Sequence, residues 1–347
     1  MLKSAKFQSF TTVPNSDWTF ASGLNVIVGE NGLGKSHVLK AIYALLRTQT
    51  SRVAGDVELS KSALEKAYAE KLTSVLRPES LGRLVKRKQG RDRCEIRLSM
   101  SKSTQSCAIG FATNAKSQVD VIQAPTEPLT LSPVYLPTRE LITLSPWFVS
   151  LYDNYHLEFE ETWRDTVSLL GAPSVRGKRE NTAAQLLKPL EDALGGKVVM
   201  DAKSSRFYVQ VPGEGRMEMP LVAEGMRKFA MLARLISTGV LLDKGYLFWD
   251  EPETNLNPRL IKTVAESIMH LAAAGIQIFI ATHSLFLLRE LEMLAKERAS
   301  MKCRWFALAA EATGVVLEQG DGLDDLKTLV LLDEELAQSD RFLQKEG

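Results

Sequence analysis

Gly29-Glu30-Asn31-Gly32-Leu33-Gly34-Lys35-Ser36 fits the pattern G-x-x-x-x-G-K-[ST], and what flanks it decides the fold. The apolar run at residues 24–28 leads in, and Val38, Leu39, Ile42 and Leu45 recur on one stripe after it. That predicts a strand, a tight turn and a helix over residues 35–46. Gly29, Gly32 and Gly34 let the backbone curl around a phosphate with several N–H groups turned inward. The helix start adds positive potential at the same place. Lys35 is expected to reach the β- and γ-phosphates of a nucleotide and Ser36 to ligate magnesium. Asn31 and His37 complete the expected cofactor-binding set.

A second strand-and-loop unit lies far downstream. Tyr246-Leu247-Phe248-Trp249 is apolar and ends in Asp250-Glu251. A buried strand of this kind delivers Asp250 to the magnesium and leaves Glu251 to polarise a water. Lys35 and Asp250 are 215 positions apart, so most of the chain is inserted between them. One strand later, Ala281-Thr282-His283-Ser284 places His283 where it either meets a γ-phosphate or caps the next helix.

Between these units the pattern is mixed. Residues 6–28 read as two short strands before the phosphate loop, and residues 60–76 have helical spacing. Residues 95–98, 108–111 and 119–122 read as half-buried antiparallel strands. Residues 134–136 form a short apolar strand, residues 141–194 are mostly helical, and two more strands fall near residues 197–200 and 207–211. From Gly225 onward strand and helix alternate, which implies a parallel sheet covered on both faces.

Composition narrows the function classes. The 347 residues carry 43 Lys+Arg against 42 Asp+Glu, which excludes nucleic-acid binding by bulk charge. Cys94, Cys107 and Cys303 are scattered, with no C-x-x-C pair for a zinc ribbon. The start of the chain has no apolar leader, so a cytoplasmic protein is expected. Residues 267–288 hold no Asp, Glu, Lys or Arg, but Gly275 and several polar residues interrupt them. They read as a buried helix and strand rather than a membrane span.

Taken together, GENGLGKS, FWDEPETNLNP and ATHS resemble the ABC-type ATPases of the RecF, SMC and OLD group, and more closely the stand-alone bacterial AAA family ATPases related to OLD proteins. The resemblance implies an α/β P-loop ABC-type head: a mixed sheet, an antiparallel β subdomain and a helical insertion. Residues 1–140 and 196–347 would form the two parts of the head and residues 141–195 a lid-like insertion. It implies ATP and Mg2+ as cofactors, with Lys35, Glu251 and His283 catalytic and Ser36 and Asp250 on the metal. It also implies a homodimer, or a higher oligomer, that closes on ATP. There the signature segment Val222-Ala223-Glu224-Gly225-Met226-Arg227-Lys228 of one copy completes the other's site, Glu224 and Gly225 touching nucleotide.

The chain departs from the family pattern in three places. Ala223 stands where a serine is usual, and Asn257 where relatives often carry histidine. Arg227 and Lys228 are candidates to replace the lost donor, with at least one expected in solvent. No glutamine follows residues 134–136, and Arg139 and Glu140 are expected to take over part of that link. Only about sixty residues follow His283, fewer than a Toprim nuclease domain needs, so no nuclease is expected in the chain itself. Asp321, Asp324 and Asp325 read as a solvated turn, and Asp333 to Asp340 as an exposed helix face.

Three roles follow. One is an ATP-driven switch controlling a separate nuclease or toxin in anti-phage defence. Another is a RecF-like repair ATPase that contacts DNA through residues 83–93, a dense cationic stretch for which a solvated loop is the commoner outcome. The third is a scaffold that holds ATP with little turnover.

Overall fold

A computed structural model describes residues 1–51, 60–87, 90–155, 157–242, 245–298 and 300–346. The chain opens with strands β1 (Leu2–Gln8), β2 (Ser16–Thr19) and β3 (Leu24–Gly29), then helices α1 (Lys35–Ser51) and α2 (Lys61–Leu76). Strands β4 (Arg93–Met100), β5 (Cys107–Ala112), β6 (Asp120–Gln123) and β7 (Val134–Leu136) follow. Next come helices α3 (Phe148–Tyr155), α4 (Glu161–Leu170) and α5 (Lys178–Leu194) and strands β8 (Lys197–Met200), β9 (Phe207–Val211) and β10 (Gly215–Glu218). The last part runs α6 (Glu224–Ser237), β11 (Tyr246–Asp250), α7 (Pro258–Ala273), β12 (Gln277–Thr282), α8 (Leu285–Glu297), β13 (Cys303–Glu311), β14 (Gly314–Gly320) and α9 (Val330–Glu346).

The central sheet has the order β14-β13-β3-β12-β11-β7. All its pairs are parallel except β13 with β14. An antiparallel sheet, β2-β1-β4-β5-β6, carries the N-terminal strands, and β10-β9-β8 forms a third sheet. This is the mixed α/β architecture expected.

Strand parity sorts the core into two halves, because successive side chains leave a sheet on opposite faces. Leu24, Val26, Leu247, Trp249, Ile278 and Ile280 join one cluster with α6, α7 and α8. Ile27, Phe248, Phe279 and Ala281 join the other, with α1 and the antiparallel sheet. The same alternation puts Asp250 on the α1 side, in step with Tyr246 and Phe248.

Several local readings need correction. Three strands, not two, precede the phosphate loop. The hairpin β13–β14 has no counterpart in the sequence reading, and neither does β10. β13 pairs in parallel with β3, from Cys303↔Leu24 to Leu308↔Gly29. The uncharged stretch at 267–288 forms the end of α7, all of β12 and the start of α8. Among the described residues, no helix is long and apolar enough to cross a membrane.

Candidate nucleotide site

The phosphate loop joins β3 to α1. Gly29, Gly32 and Gly34 all have positive φ, at 155°, 84° and 98°. A Cβ on Gly29 would sit 2.5 Å from the Leu308 carbonyl, whereas Gly32 faces open space. Asn31, Gly32, Gly34, Lys35, Ser36, His37 and Glu251 line a cavity of about 220 Å³. Lys35 Nζ donates to the carbonyls of Gly29 (2.6 Å) and Glu30 (2.8 Å). Burial lowers its pKa, against the pull of Glu251 and Asp250. The His37 ring lies 3.0 Å from Thr11 Oγ1.

Across the sheet, Ser36 Oγ donates to Asp250 Oδ1 at 3.0 Å. Asp250 Oδ2 accepts from Tyr135 Oη at 3.2 Å. Burial pushes the Asp250 carboxyl up, and the Ser36 hydrogen bond opposes this. His283 Nδ1 lies 3.0 Å from Glu251 Oε1. Sequence left open whether His283 caps the following helix. Ser284 is the cap, accepting from the Leu287 N–H at 3.2 Å, which leaves the His283 ring to Glu251. Open glycine loop, buried ammonium, and a hydroxyl beside a carboxylate form the donor set a magnesium nucleotide requires.

The expected nucleotide contacts Glu224 and Gly225 stand outside this lining, at the start of α6. Ala223 occupies the N-cap there without a side-chain cap. Gly225 packs against the loop after β11, where a Cβ would meet the Asn255 carbonyl at 2.5 Å. Asn257 caps α7, its Oδ1 accepting from the Leu260 N–H at 3.0 Å.

Neither Arg227 nor Lys228 is solvated, which corrects the expectation for the pair. Arg227 Nη1 bonds Glu140 Oε1 at 3.1 Å, and its other nitrogens donate to the Val222 and Pro220 carbonyls. Lys228 is 1% exposed, and its Nζ donates to the Glu251 carbonyl at 3.2 Å. Burial lowers its pKa to about 8. Glu140 is thereby joined to α6.

Sequence reading also assigned no role to Tyr135 or Glu253. Glu253 Oε1 accepts from Thr282 Oγ1 (2.6 Å) and the His283 N–H (3.3 Å). Its Oε2 is buried without a partner, and burial raises its pKa. The one signal for Glu253 in the sequence was a third carboxyl two residues after the acidic pair.

Elsewhere, Arg83 pairs with Glu79 (3.2 Å) and Arg93 with Asp120 (2.7 Å), while residues 88–89 of the cationic stretch lie outside the described residues. Asp325 accepts the N–H groups of Asp321 and Gly322 and so shapes its turn. The side chain of Asp333, in the acidic C-terminal stretch, is likewise outside the described part.

Residues 132–289 match the family model described as "AAA domain, putative AbiEii toxin, Type IV TA system". The SMC head in complex with the C-winged helix domain of ScpA superposes with a TM-score of 0.57 at 13% identity, covering 92% of this chain and 97% of that one. The SMC head domain of Thermotoga maritima gives 0.50 at 11% identity, covering 91% and 98%. The chain has the ABC-type P-loop fold of the SMC heads. Local sequence similarity points the same way. The DNA replication and repair protein RecF of Limosilactobacillus fermentum is 39% identical over 83 residues, 24% of this ABC-type head and 19% of that protein. RecF of Streptococcus gordonii is 36% identical over 55 residues, 16% and 15% of the two chains. The head thus spans about a fifth or less of the curated relatives it matches.

Proposed function

We propose that this ABC-type head binds ATP with magnesium, hydrolyses it, and uses the nucleotide state of a closed homodimer to switch a separate effector, a nuclease or toxin, in cytoplasmic anti-phage defence. The observation that carries the hydrolytic part is the Glu251–His283 pair at 3.0 Å beside the Ser36–Asp250 pair at 3.0 Å. Lys35 and the loop N–H groups of residues 29–36 hold phosphates; Ser36 and Asp250 hold the metal. The nucleotide is the phosphoryl donor, and a magnesium ion held by Ser36 and Asp250 would offset the charge on its phosphates. Glu251 orients water and takes its proton. His283, held at its backbone by Glu253, senses the γ-phosphate end of the site. Glu224 and Gly225 serve the partner's site through the open N-terminus of α6.

A toxin–antitoxin setting is favoured by the match of residues 132–289 to a family whose AAA domain is itself described as a putative AbiEii toxin. A RecF-like role in DNA repair is favoured instead by the local RecF identity and by the cations of residues 83–93. Phosphate release by the purified protein tests the shared core: magnesium-dependent turnover is expected from wild type and none from Lys35→Ala, which should also lose ATP binding. Stimulation by duplex DNA that disappears when Arg87 and Arg91 are neutralised would turn the assignment toward repair.

A further inference from the structure

We propose that Lys228 is a positioning residue that ties the signature helix to the hydrolytic loop of its own chain, its Nζ fixing the turn that aims Glu251. The inference rests on the reading of Glu251 as the hydrolytic base.

Glu251 is a non-glycine residue with φ at 47°, and Asn255 in the same loop has φ at 65°. Left-handed backbone at such residues persists only where the surroundings hold it. α6 grips the loop at both. One grip is Lys228 Nζ on the Glu251 carbonyl at 3.2 Å. The other is Gly225, whose bare Cα lets the helix lie against the Asn255 carbonyl. Thr254 closes the same turn, its N–H (3.2 Å) and Oγ1 (3.0 Å) both donating to the Glu251 carbonyl.

The chemistry of the position argues against simple packing. Lys228 lies among Phe229, Leu232 and their neighbours, on the face of α6 that is otherwise apolar. A methionine there would fill the space without desolvating an ammonium, which costs free energy unless the charge has partners. The ammonium is set among Glu253, Glu251 and Asp250 from the end of β11 and its loop and Glu224 from α6 itself. Because α6 is rigid between Gly225 and Lys228, a displacement of its N-terminus is delivered to the Glu251 turn less than one helical turn later. The end of the helix proposed to engage the partner's nucleotide is thereby wired to the water-activating group of its own chain.

The test compares wild type with Lys228→Met, Lys228→Arg, Thr254→Val and Glu251→Gln, measuring binding of a fluorescent ATP analogue and steady-state turnover. Lys228→Met is expected to bind the analogue within about twofold of wild type while turnover falls about 10- to 100-fold. Lys228→Arg should recover part of that loss. Thr254→Val, which removes a donor from the same carbonyl and from Glu251 Oε2 (3.3 Å), should lower turnover in the same direction, and if Lys228→Met does not fold, Lys228→Arg with reduced turnover and unchanged analogue binding carries the comparison. Wild-type turnover in Lys228→Met or in Thr254→Val overturns the proposal. So does a parallel loss of affinity and turnover in Lys228→Met without recovery by arginine, which marks a merely structural role. Glu251→Gln reports separately: wild-type turnover there removes the hydrolytic reading itself, whereas a dead Glu251→Gln beside a fully active Lys228→Met removes only the positioning role.

Discussion

Glu251 and His283 come from the ends of neighbouring parallel strands, and the imidazole Nδ1 stops 3.0 Å from the carboxylate Oε1. Register explains the meeting. Asp250 pairs with Ala281 across β11 and β12, so the residues just past each strand end emerge side by side. A carboxylate held by an imidazole is oriented before any water arrives. Glu251→Gln is expected to bind ATP as wild type does and to lose turnover by about 10²- to 10⁴-fold. His283→Ala should lose less, since Glu251 remains. Single-turnover phosphate release beside a nucleotide-binding titration separates the two effects.

Tyr135 occupies the other oxygen of Asp250, leaving Oδ1 to Ser36. Its carbonyl is held in turn by Thr166 Oγ1 from α4, and its ring packs edge-on against Tyr43. Tyr135→Phe keeps the ring and removes the hydroxyl. Asp250 is then held at one oxygen only, by Ser36, so the magnesium concentration needed for half-maximal ATP binding is expected to rise about 10-fold. The apo protein should melt within a few degrees of wild type. An unchanged magnesium titration would falsify the positioning of Asp250 by Tyr135.

The ion pair between Glu140 and Arg227 joins the segment after β7 to α6 at 3.1 Å. Glu140 also accepts from Thr143. Both side chains are largely shielded, at 7% and 22% exposure, so removing one partner strands the other charge. Glu140→Gln and Arg227→Met are each expected to destabilise the fold by about 1–3 kcal/mol. The double variant should cost less than the sum. Urea unfolding of the four proteins gives the coupling energy; additivity would mean the pair contributes nothing.

How far the sequence could be read follows from what each feature depends on. The phosphate loop is local: its glycines, lysine and serine lie within eight residues of one another. The ends of β11 and β12 were legible for the same reason, since an apolar run stopping at Asp250 or Thr282 marks a strand end. Tyr135 gave no such sign, because Val134, Tyr135 and Leu136 are all buried and show no alternation. Its bond to Asp250 exists only because β7 joins the sheet edge beside β11. β13 carries the apolar run Trp305-Phe306-Ala307-Leu308, but its partner β3 lies nearly the whole chain away. The expectation that at least one of Arg227 and Lys228 is solvated follows residue type, since lysine and arginine are ordinarily exposed. The structure buries Gly225 and Lys228 on one side of α6, three residues apart, so helical geometry outweighs residue type.

The buried Lys228 also gives the fold a pH dependence whose sign can be worked out. Burial lowers its pKa from 10.5 to about 8 in the folded chain. Below about pH 8 both folded and unfolded chains carry the ammonium, and the folded state bears the full cost of desolvating it. Between about 8 and 10.5 the unfolded chain holds the proton more often than the folded one, so stability gains with rising pH. Above that range neither state is charged and the cost is gone. At about 1.36 kcal/mol per pH unit the interval caps the gain near 3 kcal/mol. Lys228→Met removes this contribution. Wild type is therefore expected to gain stability relative to Lys228→Met as pH rises from 7.5 to about 10, read as a converging or crossing pair of urea midpoints. Parallel stability–pH curves for the two proteins would show that Lys228 titrates alike in both states, and that the ammonium is not desolvated by the fold.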